Sequence, residues 1–180
     1  MGIKLLILDV DGVLTDGTKV YDENHNVLSK RYMCKDFTAI KRFMASGINV
    51  VFISGDMFNK TMATKRNIDF YCSRGDDLSL DKSPFLKKFE DIYKVSIENM
   101  AFVGDDYFDL SIIKKLNFTY CPSDSPQIVK DACEVTLNSK GGGGVIVELY
   151  DSLVGKYFKE PAESVVIELD KQEGASEEMS

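Results

Sequence analysis

Two aspartates stand directly after the first apolar run of the chain, in the stretch LLILDVDGVLTDG. Asp9 and Asp11 are two residues apart, so in an extended backbone their side chains point in the same direction. Two carboxylates that lie this close repel each other unless a positive charge lies near them. The spacing therefore predicts a site in which a metal cation or a lysine lies between acidic side chains.

Small and acidic residues also follow two later apolar runs, INVVFI and MAFV. The residues at these points that could ligate a cation or a phosphate are Ser54, Asp105, Asp106 and Asp109. Ligands of open α/β sheets bind at the carboxyl ends of the strands, so we expect these residues to share one crevice with the first two aspartates. Several carboxylates without a neighbouring base are typical of a Mg²⁺ site, in which the ligands are oxygen atoms.

A single lysine in the stretch LSLDKSP could supply a fixed positive charge. We expect Lys82 to pair with the phosphate of a substrate, because an ammonium group forms charge-assisted hydrogen bonds with phosphate oxygens. A solvent-exposed lysine is the alternative interpretation, since most lysines lie at the surface. Ser54 also has an alternative role, because serine is a preferred residue at the start of a helix.

Strands and helices alternate along the chain, and their order predicts the fold. Apolar, β-rich runs predict strands at residues 3–8, 48–53, 100–103, 118–121 and 134–137. Apolar residues at helical spacing predict helices at residues 36–46, 83–93, 108–116, 125–132 and 145–153. This alternation is typical of βαβ units. It predicts an α/β fold, a Rossmann-like open sheet of mostly parallel strands flanked by helices.

One segment interrupts this alternation. Residues 19–32 have the pattern of a β-hairpin with its turn near residues 23–26. Neither residues 11–54 nor residues 54–82 leave room for an independent cap domain over the crevice. An isolated two-stranded hairpin is marginally stable in water, so we expect the hairpin region, residues 17–32, to pack against other parts of the protein or its assembly.

The charge of the chain limits its partners. Its 180 residues carry 22 basic and 29 acidic side chains, a net charge of −7, which argues against nucleic acid or an anionic membrane as a partner. Seven acidic and two basic residues fall within 159–180, so most of the acidic excess lies there. We expect one folded domain over residues 1–158 and an acidic tail over 159–180, either disordered or docked on a neighbour through its stretch VVIEL.

The remaining composition is typical of a protein of the cytoplasm. No apolar run is long enough to span a membrane, and the N-terminal run lacks the small-residue cleavage site of a signal peptide. The four cysteines are far apart in sequence and form no CxxC pair: Cys34, Cys72, Cys121 and Cys133. We expect free thiols in a reducing cytoplasm and no zinc or disulfide framework.

The order of the motifs resembles that of the haloacid dehalogenase superfamily of phosphohydrolases. The matching stretches are DVDGVLTDG, the pair SG after a strand, a lone lysine and GDDYFD. The resemblance implies that Asp9 is the nucleophile, which attacks phosphorus and forms an aspartyl-phosphate. It implies that Asp11 is the acid/base, which protonates the leaving oxygen and then activates water.

The resemblance also implies roles for the other residues of the crevice. The ligands of Mg²⁺ would be Asp9, the backbone carbonyl of Asp11 and Asp105. Ser54 would donate a hydrogen bond to the phosphoryl oxygens, and Lys82 would pair with them and with the nucleophile. Asp106 and Asp109 would orient Lys82 or the water molecules on the metal, although acidic residues also favour the first turn of a helix.

Three features resemble one branch of the superfamily, the capless phosphatases of 3-deoxy-ulosonate sugars. They are the stretch DGVLTDG, the hairpin that follows it and the stretch GGGGV near the end. The resemblance covers residues 3–153. It implies a homotetramer in which the hairpin region packs against neighbouring subunits, and an adjacent subunit covers the site and excludes water.

The residue after the SG pair bears on the substrate within this branch. Phosphatases of the eight-carbon 3-deoxy-D-manno-octulosonate 8-phosphate usually have an arginine there, whereas this chain has Asp56. An acidic residue more closely resembles the nine-carbon branch, which acts on KDN 9-phosphate or N-acylneuraminate 9-phosphate, and it would repel a carboxylate. We predict a nine-carbon substrate, with the eight-carbon substrate as the alternative.

Other residues are candidates for binding the sugar. Gly55 and Asp56 follow Ser54 at the mouth of the crevice, and Lys65 and Arg66 could bind the carboxylate of the sugar acid or lie on a solvated helix face. A different alternative is a non-catalytic oligomerisation module associated with a cytidylyltransferase. The clustered carboxylates argue against such a module, because it has no use for them.

Overall fold

A six-stranded parallel sheet forms the centre of the computed structural model, which describes residues 2–74 and 81–178, with side chains up to residue 173. From one edge to the other, the strands are β5 (Asp69–Cys72), β4 (Asn49–Ser54), β1 (Leu5–Leu8), β6 (Met100–Val103), β7 (Phe118–Cys121) and β8 (Val135–Thr136). All neighbouring strands pair in parallel. The predicted α/β fold is confirmed.

Helices cover both faces of this sheet. They are α1 (Cys34–Ala45), α2 (Asn59–Lys65), α3 (Pro84–Tyr93), α4 (Leu110–Ile113), α5 (Gln127–Ala132), α6 (Val145–Leu153) and α7 (Glu163–Glu178). In β1, Leu6 and Leu8 pack in the cluster that contains α1 and α6, whereas Leu5 and Ile7 pack in the cluster that contains α3 and α4. Because both faces of β1 are covered, its sequence is continuously apolar.

The predicted hairpin follows β1. Its strands are β2 (Val20–Tyr21) and β3 (Val27–Ser29), and they pair antiparallel with Val20 opposite Ser29. The Asp22 carboxylate accepts hydrogen bonds from two backbone N–H groups of the turn, at 2.9 and 2.7 Å, and so closes it. One residue of the hairpin, Val27, lines the cavity at the carboxyl end of the sheet. The hairpin therefore borders the crevice.

Between β4 and α3, strand β5 and helix α2 were not predicted from the sequence, and a later helix is shorter than predicted. Strand β5 is partly exposed and α2 has seven residues, so neither has a long apolar run. The helix predicted at residues 108–116 begins as a 3-10 turn at Tyr107–Asp109 and continues only through α4. The Asp109 side chain bonds to backbone N–H groups before this turn, which fixes where the helix can begin.

The acidic C-terminal end forms α7 and packs on its own chain. The prediction of an acidic tail that is disordered or docked on a neighbour is corrected here, because α7 lies against α1 and α2. Val166 of the stretch VVIEL is buried. Lys41 on α1 forms ion pairs with Asp170 and Glu173, and Arg66 at the end of α2 pairs with Glu173 at 2.5 Å. Basic side chains of the body thus attract the acidic helix.

Within residues 2–74 and 81–178, which the structure describes, no helix is both long and apolar enough to cross a membrane. The four cysteines form no disulfide bond. Cys121 is buried at the end of β7 and Cys34 is exposed at the start of α1.

Candidate active site

Asp9, the predicted nucleophile, lies at the carboxyl end of β1. Its backbone N–H donates to the carbonyl of Val103 at 2.9 Å, so the chain is still held against β6 at this point. The Asp9 side chain is nearly buried, and its Oδ1 accepts a hydrogen bond from Lys82 Nζ at 2.9 Å. Burial raises the pKa of Asp9 to about 7, while the charge of Lys82 acts to lower it. Lys82 therefore favours the ionised form that a nucleophile requires.

Lys82 is a buried ammonium group between two carboxylates. Its side chain is 5 % exposed, and Nζ lies 2.6 Å from Asp109 Oδ1 as well as 2.9 Å from Asp9 Oδ1. Burial would lower the pKa of Lys82, but the charges of Asp9 and Asp109 raise it above its usual value. The solvent-exposed alternative does not fit this geometry.

Three aspartate side chains come together at the carboxyl ends of β1 and β6. One carboxylate oxygen from each of Asp9, Asp105 and Asp109 lies within 4.8 Å of the other two. Burial and then the charges of Asp9 and Asp109 raise the pKa of Asp105 to about 9. The Oδ1 atom of Asp105 is buried and has no hydrogen-bond partner within the described ranges. A buried oxygen among like charges is unfavourable unless a cation neutralises it.

These observations fit a hard divalent cation such as Mg²⁺. The donors are all oxygen atoms, and Asp105 Oδ1 is left for a ligand outside the chain. Asp9 and Asp105 belong to the predicted ligand set. The side chain of Asp11 does not join this group, because lysine and asparagine side chains bind its carboxylate. Only the backbone carbonyl of Asp11 is then left for the predicted ligation.

Asp109 orients its neighbours through both carboxylate oxygens. Its Oδ1 accepts from Lys82, and its Oδ2 accepts from the backbone N–H groups of Asp105 and Asp106 at 2.9 and 3.1 Å. Its side chain is almost completely buried. Asp109 therefore contacts Lys82 and the backbone at the end of β6 at the same time. Asp106 lines the cavity and caps the 3-10 turn through a hydrogen bond from the Tyr107 N–H, at 2.7 Å.

Glycines allow the chain to fold tightly around this acidic group. Gly12 has a φ of +88°, and a Cβ atom there would lie 1.9 Å from Asp105 Oδ2. A Cβ atom at Gly141 would lie 2.1 Å from the carbonyl oxygen of Gly12. The Gly142 N–H donates to the carbonyl of Val13 at 3.0 Å. The stretch GGGG is therefore a tight loop before α6, and it packs on the turn after β1.

The Asp11 carboxylate is held by the hairpin. Lys30 Nζ lies 2.6 and 2.9 Å from its two oxygens, and Asn59 Nδ2 lies 3.0 Å from Oδ2. The Lys30 side chain is fully buried. We expected one cation and Lys82 to hold Asp9 and Asp11 together. This expectation is wrong for the Asp11 side chain, whose charge is balanced by a second lysine.

Asn59 connects Asp11 to the end of β4. It is completely buried, its Nδ2 donates to Ser54 Oγ at 2.9 Å, and its Oδ1 accepts from Lys30 at 2.9 Å. Ser54 Oγ also accepts from the backbone N–H of Asp56 at 3.1 Å. In both of these bonds the Ser54 hydroxyl is the acceptor. Its own hydrogen can therefore be donated to a phosphoryl oxygen, as predicted.

Asp56 is neutralised by two lysines of the hairpin region. Its Oδ2 lies 2.7 Å from Lys19 Nζ and 2.8 Å from Lys30 Nζ. Burial would raise the pKa of Asp56, but the hydrogen bonds from Lys19 and Lys30 hold it well below its usual range. A carboxylate paired with two ammonium groups does not repel a substrate carboxylate. The structure thus removes the repulsion of a carboxylate that we expected from Asp56. The nine-carbon prediction rested on the resemblance of an acidic residue at this position to the nine-carbon branch.

A cavity of about 480 Å³ lies at the carboxyl end of the sheet, and both Asp9 and Asp11 line it. Its charged and polar lining consists of Asp9, Asp11, Lys19, Ser54, Asp56, Ser73, Arg74, Lys82, Asp105, Asp106 and Asp109. Gly17, Val27, Gly55 and Phe108 complete the lining. The predicted crevice is therefore a single cavity, large enough for a small molecule such as a sugar phosphate.

Two of the predicted substrate-binding residues do not line this cavity. Arg66 lies elsewhere: it pairs with Glu173 at 2.5 Å, and its guanidinium carbon lies 3.5 Å from the centre of the Phe37 ring. Lys65, its neighbour at the end of α2, is also absent from the cavity lining. Arg66 is drawn to α7 because the acidic helix and the aromatic ring both attract its cation. Gly55 and Asp56, by contrast, line the cavity.

Four residues of the site were missed in the sequence analysis: Lys19, Lys30, Asn59 and Arg74. A signal existed for the two lysines, since they flank the Val20–Ser29 pair and therefore neighbour each other across the hairpin. The sequence did not indicate which face of the hairpin is turned toward the crevice. Asn59 and Arg74 belong to α2 and to the end of β5, two elements that were not predicted.

The comparisons with known proteins agree with this geometry. No family model matches the chain. The chain is 34% identical over 161 residues to the 3-deoxy-D-manno-octulosonate 8-phosphate phosphatase KdsC of Haemophilus influenzae, an alignment that covers 84% of this chain and 83% of the relative. For KdsC of Escherichia coli K12 the identity is 30% over 155 residues, with 84% and 79% covered.

Solved structures show the same fold. The cobalt-bound deoxy-D-mannose-octulosonate 8-phosphate phosphatase of Haemophilus influenzae matches with a TM-score of 0.76 and 26% identity, over 97% of this chain and 92% of the other. The Moraxella catarrhalis 3-deoxy-D-manno-octulosonate 8-phosphate phosphatase, in complex with magnesium, phosphate and KDO, matches with a TM-score of 0.74 over 96% and 90% of the two chains. Its identity of 20% shows the fold alone.

The fold and the site define a phosphohydrolase of the haloacid dehalogenase superfamily. Asp9 lies at the end of the central strand, Lys82 contacts it, and Asp105 follows the neighbouring strand, in the motif order of that superfamily. Between β1 and α1, where every residue is described, the regular structure is limited to the hairpin. Within the superfamily, this chain belongs to the family of capless KdsC-type sugar phosphatases.

Proposed function

We propose that this protein is a Mg²⁺-dependent phosphomonoesterase that hydrolyses 3-deoxy-D-manno-octulosonate 8-phosphate through an aspartyl-phosphate. One observation carries the proposal: Asp9 and Asp11 line one cavity, and a different buried lysine holds each of them, Lys82 and Lys30 respectively. Because their partners are separate, one carboxylate can bond to phosphorus while the other transfers protons.

The reaction then follows in two displacements. In the first, a carboxylate oxygen of Asp9 bonds to phosphorus while the bond from phosphorus to the sugar oxygen breaks, and Asp11 gives its proton to that oxygen. In the second, Asp11 takes a proton from water, the water oxygen bonds to phosphorus, and the bond to Asp9 breaks. Inorganic phosphate leaves, Asp9 is again a free carboxylate, and Asp11 again carries the proton with which it began the reaction.

The remaining groups stabilise the phosphoryl oxygens. Lys82 contributes a fixed positive charge, and the Ser54 hydroxyl contributes a hydrogen bond. Mg²⁺ held by Asp9, Asp105 and the backbone carbonyl of Asp11 would supply further positive charge to balance these oxygens. The unpartnered Oδ1 of Asp105 supports this ligand set.

The eight-carbon substrate is better supported than the nine-carbon one. The relatives at 34% and 30% identity are named for the eight-carbon 8-phosphate. The argument for nine carbons was that an acidic residue after the SG pair resembles the nine-carbon branch. In the structure this residue, Asp56, is paired with Lys19 and Lys30. We therefore take the alternative substrate of the sequence analysis as the proposed one.

We also propose that the hairpin region joins subunits into a homotetramer. Three of its apolar side chains are 42–60 % exposed: Val20, Tyr21 and Leu28. Such side chains on a two-stranded hairpin favour contact with another surface, and a second copy of the chain would cover them. Sedimentation equilibrium that finds only monomers would reject this assembly without affecting the chemistry.

The non-catalytic module is the less supported alternative. A module that only joins subunits needs no buried lysine between two carboxylates, and removing such groups from water costs free energy. Here Lys82, Asp9 and Asp109 are all buried together. This arrangement is easier to explain by a reaction than by assembly.

The test is a comparison of kcat/KM for the eight-carbon 8-phosphate and for the two nine-carbon 9-phosphates, with Mg²⁺ present. We expect the eight-carbon substrate to be preferred by about tenfold or more, equivalent to about 1.4 kcal/mol. Preference for a nine-carbon substrate would leave the proposed chemistry intact and would contradict the proposed eight-carbon substrate. A folded protein that hydrolyses none of the three would contradict the proposed function.

A further inference from the structure

We propose that Arg74 forms the subsite that binds the carboxylate of the sugar acid, an inference that rests on the proposed function and names a specificity residue for it. Arg74 follows β5 and lines the same cavity as Asp9. The sequence analysis assigned carboxylate binding to Lys65 and Arg66, neither of which lines the cavity. The subsite therefore has to be sought among the cations that do line it.

Three cationic side chains line the cavity: Lys19, Arg74 and Lys82. Lys82 is paired with Asp9 and Asp109, and Lys19 is paired with Asp56. Among the described residues, no carboxylate forms an ion pair with Arg74. Arg74 thus presents a positive charge to the cavity that the described part of the chain does not neutralise.

The local backbone makes room for the Arg74 side chain. A Cβ atom at Gly55 would lie 2.8 Å from Arg74 Nε and 3.2 Å from its Cδ and Cγ, so the arginine lies against the glycine backbone. Any larger residue at position 55 would displace it. Gly55 and Asp56 form the turn after β4, and the guanidinium is therefore placed directly beside this turn.

The position of Arg74 favours the carboxylate over the phosphate as its ligand. Arg74 follows β5, and β4 lies between β5 and β1, which carries Asp9. Neighbouring strands are about 4.8 Å apart, so the backbone at Arg74 starts about two strand spacings from the nucleophile. Lys82 already serves the phosphoryl group beside Asp9. The planar guanidinium can bind both oxygens of a carboxylate with two parallel hydrogen bonds.

The charges around Arg74 admit an anionic ligand. Asp56 belongs to the turn beside Arg74, and its carboxylate forms ion pairs with Lys19 and Lys30. Lys19 lines the cavity, and its ammonium group has three hydrogens, of which the bond to Asp56 uses one. It can assist Arg74 in binding the same carboxylate.

The test compares substrates with and without a carboxylate in the variant Arg74→Ala. The carboxylated substrates are the eight- and nine-carbon ulosonate phosphates, and the other is p-nitrophenyl phosphate. We expect kcat/KM for the ulosonate phosphate that the unmodified enzyme prefers to fall about 10- to 100-fold, because a charged hydrogen-bonded pair is lost. We expect a change of less than about threefold for p-nitrophenyl phosphate, which leaves the subsite empty.

Two controls make this experiment specific. Lys87→Ala removes an exposed lysine of α3 that does not line the cavity, so it should leave both activities unchanged. Inhibition by the free sugar acid should weaken about tenfold in Arg74→Ala, whereas inhibition by inorganic phosphate should not change. Arg74→Lys should give an intermediate loss, because it keeps the charge and loses the second parallel hydrogen bond.

Other results would overturn the inference. An equal loss for both kinds of substrate, with weaker inhibition by inorganic phosphate, would assign Arg74 to the phosphoryl group. No loss for the preferred ulosonate phosphate would also reject the subsite. An unmodified enzyme that hydrolyses p-nitrophenyl phosphate but neither hydrolyses a ulosonate phosphate nor is inhibited by the sugar acid would reject the proposed substrate class and this subsite, while keeping the phosphatase chemistry.

Discussion

Lys82 and Lys30 place two separate positive charges beside aspartates that are only two residues apart. Lys82 lies 2.9 Å from Asp9 Oδ1, and Lys30 lies 2.6 and 2.9 Å from the two oxygens of Asp11. Lys30 comes from the hairpin region, whereas Lys82 comes from the segment before α3. The proposed nucleophile and the proposed acid/base are therefore held by different parts of the fold.

Lys30 is expected to be a positioning residue that acts through Asp11. In Lys30→Met the side chain keeps its approximate volume and loses its charge, so Asp11 is no longer held at both oxygens. We expect kcat for the sugar phosphate to fall about 10- to 100-fold, part of the usual effect of general acid–base catalysis. The loss should be smaller for p-nitrophenyl phosphate, whose leaving group needs little protonation. Steady-state kinetics with the two substrates measures this difference.

Matched variants separate positioning from damage to the fold. Lys30→Arg keeps a cation and should recover part of kcat, and Lys35→Met changes an exposed lysine at the start of α1 and should have no effect. Circular dichroism would check that Lys30→Met is folded. Equal losses with both substrates, or no loss with either, would contradict the role given to Lys30.

At the residue scale, the motifs predicted that Asp9, Lys82 and Asp105 share one site, and they missed the residues that hold Asp11. Asp9, Lys82 and Asp105 could be recognised because their order along the chain is a motif. Lys30 and Asn59 could not, because they contact Asp11 only when the hairpin and α2 fold over it. Charge pairing between residues far apart in sequence depends on tertiary structure.

At the scale of elements, α7 is held on the body mainly by charge. Lys41 pairs with Asp170 and Glu173, and Arg66 pairs with Glu173 at 2.5 Å. Arg42 on α1 pairs with Glu160 and Glu163. One apolar side chain of α7, Val166, is buried as well. Ion pairs at a partly exposed surface are weakened by salt and by protonation, so the docking of α7 should depend on both.

The pH dependence of α7 docking has a definite sign. The hydrogen bond and charge of Lys41 lower the pKa of Asp170 below its ordinary value of 3.8. A lowered carboxyl pKa stabilises docking above the ordinary pKa, and this contribution is lost as the pH falls through the lowered one. We expect protection of the α7 amides from hydrogen exchange, corrected for intrinsic rates, to decrease between about pH 5 and about pH 3.

A pair of lysine variants tests the same docking at neutral pH. Lys41→Met should reduce the protection of α7, whereas Lys60→Met on the exposed side of α2 should not. Equal protection in Lys41→Met and the unmodified protein would show that charge does not hold the helix. Protection that rises on acidification would also contradict the account.

The elements that the sequence predicted differ in their burial from the elements that it did not predict. Strand β1 is covered on both faces and is apolar throughout, so its sequence alone predicted it. Strand β5 lies at the edge of the sheet, with mixed exposure, and α2 is short, so neither has a clear periodic pattern. The acidic sequence of α7 resembled a solvated tail because its basic partners lie more than a hundred residues earlier.

At the scale of the whole molecule, an acidic protein has to bind an acidic substrate. The net charge is −7, yet the cavity contains Lys19, Arg74 and Lys82. Much of the acidic excess lies in residues 159–180, where α7 pairs with basic residues of α1 and α2. A bound divalent cation would make the cavity more favourable still for a phosphate.

The measurement that tests this account most directly is phosphate release from 3-deoxy-D-manno-octulosonate 8-phosphate by the unmodified protein and by Asp9→Asn. Each is assayed with Mg²⁺ and with a chelator. The account predicts turnover that requires Mg²⁺ and falls by about a thousandfold or more in Asp9→Asn, because the nucleophile is removed. Undiminished turnover in Asp9→Asn, or full turnover in the presence of the chelator, would contradict it.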